Sequence, residues 1–325
     1  MLLLKPFKTH IQQLKVLRDR NLDTGNGSKS MRYLEQENYY NVINGYKGLF
    51  LKRDPDGKLL KPEVFIEKAH IDEIYALFCF DRELRNLYVK YLLKFESNLK
   101  SVIAYRFSEK YKNTNDYLDM GNFTKDTAKT KDVLTTISIM SSVIASKFNS
   151  GNSINHYIDN HNGVPLWVLV NYLTIGNMSY FYQVLEEGLK NKVTRDFNDQ
   201  YNRRKTRGKL FMQPIDLGSI IRMVNFFRNV CAHEERLYSY RIKDVRINYF
   251  ASYFQINPKQ LERNNLFTLT IMLRSVLSRK DSQQLHRGLR DLANEYNSKF
   301  KSLDFKDIFR IMGFPDNWQK YMEKI

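Results

Sequence analysis

Cysteine is scarce in this chain of 325 residues, with only Cys79 and Cys231 present. Two thiols cannot build a disulfide framework or a four-cysteine zinc site. Glycine (14) and proline (7) together make up about 6% of the residues, which excludes collagen-like, low-complexity and linker-rich chains. Long apolar runs are missing too. The longest, from Val164 to Val170, is far short of the roughly 20 residues that cross a bilayer. The opening Met1-Leu2-Leu3-Leu4 stops at Lys5-Pro6, short of a secretory leader, so a cytoplasmic location without membrane association is expected. There is no Gly-x-x-x-x-Gly-Lys-Ser/Thr phosphate loop, no Gly-x-Gly-x-x-Gly and no His-Glu-x-x-His, and no small-molecule cofactor is expected. His156 and His161 lie in a polar stretch without nearby cysteines or a clear helical face, so no metal site is expected there. His10, His70 and His286 stand alone and read as solvated or capping residues.

What is abundant is positive charge. Lys and Arg number 52 against 35 Asp and Glu, a net of +17, in a chain that is 42% hydrophobic and 27% charged. That mix makes a core-forming protein with a polyanion-facing surface. The excess is uneven: residues 1–62 carry a net of +6, 63–194 are neutral, 195–255 carry +6 and 256–325 carry +5. The densest cluster is Arg203, Arg204, Lys205, Arg207 and Lys209, with Gly208 inside it and Pro214 closing it. It reads as an exposed basic loop, with two readings open: one able to neutralise nucleic-acid phosphates in a salt-dependent way, favoured by the charge excess of the whole chain, and one that is only solvated.

Apolar residues recur at helical rather than strand spacing nearly throughout, so an all-α fold is expected. Ile11, Leu14 and Leu17 mark a first helix. Ser28 or Ser30 is the expected cap of a second, with Tyr33, Leu34, Tyr39, Tyr40, Val42 and Ile43 on its buried side. Asp54-Pro55-Asp56-Gly57 is a turn signal, and one short hairpin near 49–60 is the only strand allowed for. From Ile71 to Tyr111 no Gly or Pro interrupts a helical pattern. Further helices fit 126–148, a start at Pro165, 178–189, 215–230, 265–277 and 282–300. The expected organisation is an N-terminal helical segment (1–62) packed on an all-α domain (63–325), whose part beyond 241 is helical without a motif.

The stretch with chemical content is Arg228-Asn229-Val230-Cys231-Ala232-His233-Glu234-Glu235-Arg236. It follows a helix that is apolar along most of its length. Asn229 and His233, four apart, share a helical face, with Arg228 on the flank. Spacing alone leaves two readings open. One is chemistry. The other is a helix C-terminus whose cations complement the dipole. Thiol chemistry at Cys231 is not expected, because cysteine is common at buried helical positions. Tyr238 and Tyr240 beside the motif are candidates for base stacking.

Several blocks resemble, in order, the Abi family of abortive-infection proteins (the AbiD/AbiF type), a branch of the HEPN superfamily. They are Lys5-Pro6-Phe7 with Gln12 to Arg20; Tyr33-Leu34, Asn38-Tyr39-Tyr40 and Gly45-Tyr46; Ile74 to Phe78 with Phe80-Asp81-Arg82-Glu83-Leu84-Arg85; Pro165 to Val168 with Thr174 to Ser179; and Arg228 to Leu237. The resemblance spans roughly residues 5–240, and it departs at Glu234, where the family usually has a second histidine.

The resemblance implies a HEPN-like helical bundle and metal-independent RNA cleavage through an Arg-x4-His motif. His233 is then the acid or base, Arg228 the charge stabiliser and Asn229 an orienting group. RNA-binding roles fall to the basic loop, Arg236 and Tyr238. It also implies a homodimer that pairs two motifs, and a toxin held silent by a cognate antitoxin, taken to be a small non-coding RNA, in anti-phage defence. The competing reading is a non-catalytic helical RNA-binding protein. A DNA-binding regulator is disfavoured, as no recognition-helix signature is present.

Overall fold

The computed structural model describes residues 6–148, 151–203 and 208–323, and these form an all-α protein without a sheet. Helix α1 (His10–Asp19) starts at a capping box in which Thr9 and Gln12 satisfy each other's backbone N–H groups. It buries Leu14 and Leu17 and leaves Ile11 exposed. Helix α2 (Gly27–Glu37) is capped by Asn26, whose side chain accepts from Ser28 and Lys29. The serines expected as caps are not used; Ser30 is buried and donates to the Thr24 carbonyl at 2.6 Å. Asn38, at a φ of +66°, ends α2 and redirects the chain into a π-helical turn, Tyr40–Asn44. That change of direction buries Val42 and Ile43 and turns Tyr40 outward, contrary to the expected helix face.

The Asp54–Gly57 turn closes a ribbon held by antiparallel bridges Arg53–Leu59 and Leu51–Phe65, close to the hairpin expected. Helix α3 (Ile71–Lys110) then runs 40 residues without a break, which is about 60 Å at 1.5 Å per residue. Its first turn is capped by the His70 side chain, which accepts from the Asp72 N–H at 3.0 Å. Buried residues lie along it from Ile71 to Phe107, because other elements pack around it on several sides. These include α6 (Leu166–Leu169), α8 (Glu187–Asn202), α9 (Pro214–Ala232) and α13 (Arg279–Asn297).

Several helices were not anticipated, two of them before α9. The polar stretch around His156 forms a helix, α5 (Ser153–His161), capped by Asn152, between α4 (Thr130–Lys147) and α6. The span expected as one helix over 178–189 is two: α7 (Ile175–Val184), with Gly176 and Asn177 inside its first turn, and α8. Beyond α9 come α10 (Asn248–Phe254), α11 (Pro258–Leu261) and α12 (Leu266–Arg274), then α13, α14 (Phe305–Ile311) and α15 (Trp318–Glu323). Every residue of α12 is buried, and the Tyr88 and Thr270 hydroxyls meet at 2.5 Å between α3 and α12. His286 is half-buried, and its ring meets Trp318 edge-on at 5.5 Å. Among the described residues no helix is long and apolar enough to cross a membrane.

Candidate active site

Helix α9 begins with Pro214 at its first position and a capping box between Gln213 and Asp216. Ile220, Ile221, Met223, Val224, Phe227 and Val230 are buried along it, so its C-terminal end is fixed by packing. That end closes in a Schellman arrangement. The His233 N–H donates to the Asn229 carbonyl at 2.9 Å and the Glu235 N–H to the Val230 carbonyl at 3.0 Å. Glu234 takes the left-handed position that glycine usually fills, with a φ of +55°. The result places His233 at the helix terminus with an exposed side chain and Asn229, also exposed, one turn before it.

The turn that follows is pinned from α3. Asp81, fully buried, accepts the backbone N–H groups of Leu237 (3.0 Å) and Tyr238 (2.7 Å). It also accepts from the Tyr46 hydroxyl at 2.7 Å and from Arg85 at 2.8 Å. Arg85 reaches on to the Glu235 carbonyl at 3.2 Å. Burial pushes the Asp81 carboxyl up, and the Arg85 guanidinium opposes that push most strongly. Arg236 donates to the Gly45 carbonyl at 2.8 Å. Three separated stretches, around Gly45-Tyr46, Asp81–Arg85 and Glu235–Tyr238, are thus tied into one support for the end of α9.

His233 borders a cleft of about 740 Å³, together with Tyr40, Arg236, Tyr240 and Arg241. Arg228 and Asn229 do not line it. Arg228 is half-buried and lies 3.7 Å from the Glu96 carboxylate of α3, whose other oxygen pairs with Lys100 at 2.7 Å. Tyr238 is not available to a base: it is 4% exposed, and its ring lies against that of Tyr46, 5.8 Å between centroids. Its burial follows from the grip of Asp81 on its backbone, which no local pattern announces. Tyr240 is half-buried and meets Phe227 edge-on at 5.1 Å. Burial pushes the Cys231 thiol up to about 12, which keeps it protonated.

In the basic loop, Arg203 and Lys209 are exposed, while Arg204, Lys205 and Arg207 lie outside the described residues. The loop's ends are clasped by Asn202, which donates to the Leu210 carbonyl at 2.8 Å and accepts its N–H at 2.7 Å. Neither Arg203 nor Lys209 lines the His233 cleft. His156 and His161 lie on α5 with ring centroids 5.8 Å apart. Among the described residues no three His, Cys, Asp or Glu side chains gather as a metal cluster.

A family model described as Abi-like protein matches residues 32–239. The chain belongs to the Abi-like family. That membership suggests a role in abortive-infection defence. Searches of the curated proteins and of the solved structures each found no match. The Abi-like span takes in Tyr40, Gly45, Asp81, Arg85 and the whole of the 228–237 stretch, and it ends one residue past Tyr238. The blocks before residue 32 that carried part of the resemblance fall outside it. In the sequence Asp81 and Arg85 stand out only as members of the Phe80–Arg85 block of the resemblance. They lie in a charged run, Asp81-Arg82-Glu83-Leu84-Arg85, and only their burial in the structure separates them from Arg82 and Glu83.

Proposed function

We propose that this Abi-like protein is a metal-independent endoribonuclease of the HEPN type, acting as an abortive-infection toxin. A cognate antitoxin, a small non-coding RNA, holds it silent until phage attack. The observation that carries this reading is the exposed His233, fixed at the end of a buried helix on the border of a cleft of about 740 Å³. An imidazole, which ordinarily titrates near pH ~6.5, suits proton transfer at neutrality.

In the proposed reaction the RNA 2′-oxygen attacks the adjacent phosphorus, and its proton passes to a base. The bond to the 5′-oxygen breaks, and that oxygen takes a proton as it leaves. The products are a 2′,3′-cyclic phosphate and a 5′-hydroxyl. His233 serves one of the two proton transfers, and a homodimer supplies a second His233 for the other. Asn229 orients the phosphate or the imidazole. Arg228 stabilises the charge that builds on the phosphoryl oxygens, as a guanidinium fork does well. To do so it leaves Glu96, which keeps Lys100 as its counter-ion.

The second reading is a non-catalytic RNA-binding scaffold, favoured by the place of Arg228 beside Glu96 and outside the His233 cleft. The two separate on labelled RNA incubated in EDTA with nucleic-acid-free protein, wild type beside His233→Ala. The ribonuclease reading expects cutting by wild type and a loss of at least about 100-fold in the variant. RNA binding by both, without cutting by either, supports the scaffold.

A further inference from the structure

Among the groups that line the cleft beside His233 and that the reaction above does not use are Tyr40 and Arg241. Tyr40 is 71% exposed. It is held there by local geometry: Asn38 turns the chain, and its side-chain oxygen accepts the Tyr40 N–H at 2.9 Å. The ring stands on a π-helical turn whose Val42 and Ile43 are fully buried, so its base is anchored while its face is open. Arg241 is exposed and lines the same cleft, and Arg236 has one nitrogen committed to the Gly45 carbonyl. Of the carboxylates there, Glu37 is neutralised by Arg82 at 2.6 Å, which leaves Glu234 and Glu235 on the His233 side.

We propose that this cleft is a single-stranded RNA subsite in which Tyr40 stacks one base and Arg241, with Arg236, holds the neighbouring phosphate. An open aromatic face beside a guanidinium is the pairing that takes up unpaired nucleotides, because every base has a π-face and every linkage a charge. The subsite would seat the RNA backbone beside His233, and it fills the stacking role for which Tyr238 is too deeply buried. The proposal rests on the ribonuclease reading for its ligand.

The test uses full-length His233→Ala protein, expected to bind RNA without cutting it, and a fluorescein-labelled oligouridylate of twelve nucleotides. Adding Tyr40→Ala should weaken binding about tenfold, the loss of one base–aromatic stack, while Tyr40→Phe stays within about twofold. Adding Arg241→Ala should weaken binding and lower the slope of log affinity against log salt by about 0.7, one phosphate contact on a single strand. Unchanged thermal melting confirms that the exposed side chains were removed without unfolding. Undiminished affinity in the Tyr40→Ala variant overturns the subsite and leaves the ribonuclease reading standing. Absence of salt-sensitive RNA binding in the His233→Ala parent overturns both. A change in sedimentation with unchanged RNA affinity overturns the subsite and marks Tyr40 as part of a protein interface.

Discussion

Glu234 sits in the left-handed region, a conformation that costs an L-residue roughly 1–2 kcal/mol and glycine almost nothing. Glycine gives back part of that gain through its freer unfolded chain. Glu234→Gly should therefore raise stability by about 0.5–1 kcal/mol in denaturant unfolding, and a loss of stability would contradict the helix ending described. The cysteines give a second check at this scale. Burial lifts the Cys231 thiol to about 12 and pushes Cys79 up as well. A raised value means less thiolate at a given pH, so at pH 8 Cys231 in the folded protein should alkylate at least about 100-fold more slowly than in urea. Mass spectrometry of iodoacetamide-treated protein reads this directly, and labelling of Cys231 at the unfolded rate would refute it. The motif itself was legible in sequence, because a four-residue spacing is enough to put Asn229 and His233 together. The fate of Tyr238 was not, since it depends on a carboxylate 157 residues away.

Elements defined by a long uninterrupted period, α3 and α9, were legible to within a few residues. Those set by a capping group against the apolar pattern were not. Asn26 rather than a serine starts α2, and Leu185–Glu186 separates α7 from α8. Helix α8 spaces Leu189, Val193, Phe197 and Tyr201 at four residues within a strongly polar sequence, so its apolar signal is thin. The C-terminal helices depend on a similar local device. Gly313 follows α14 at a φ of +90°, and a Cβ there would sit 1.9 Å from the side-chain nitrogen of Asn265. Asn265 cannot yield freely, because its side chain caps α12 through the Thr268 N–H. Gly313→Ala should then cost about 2–3 kcal/mol, the sum of left-handed strain and a disturbed cap. A melting temperature equal to that of wild type would show that this junction is not rigid.

For the molecule as a whole, the family span of 32–239 and the folded core do not coincide. Helix α12 is buried throughout and packs on α9, and α13 packs on α3. The residues beyond 240 therefore complete the core beneath the candidate site, a role that their lack of a motif concealed. A chain ending at Tyr240 should lose cooperative unfolding and bind a hydrophobic dye, because the faces of α3 and α9 that meet α13 and α12 become exposed. A sharp two-state transition in that truncated chain would contradict this packing. The net charge of +17 gives the molecule a general attraction for polyanions, but charge alone distinguishes neither RNA from DNA nor binding from cutting. The reaction does distinguish them, because it uses the 2′-hydroxyl as nucleophile. The most direct measurement is therefore the end-group chemistry of products from one RNA sequence, made with ordinary and with 2′-O-methyl sugars. The proposed mechanism predicts 2′,3′-cyclic phosphate and 5′-hydroxyl ends from the first and no cleavage of the second. Ends bearing a 3′-hydroxyl and a 5′-phosphate, or equal cutting of the methylated strand, would contradict it.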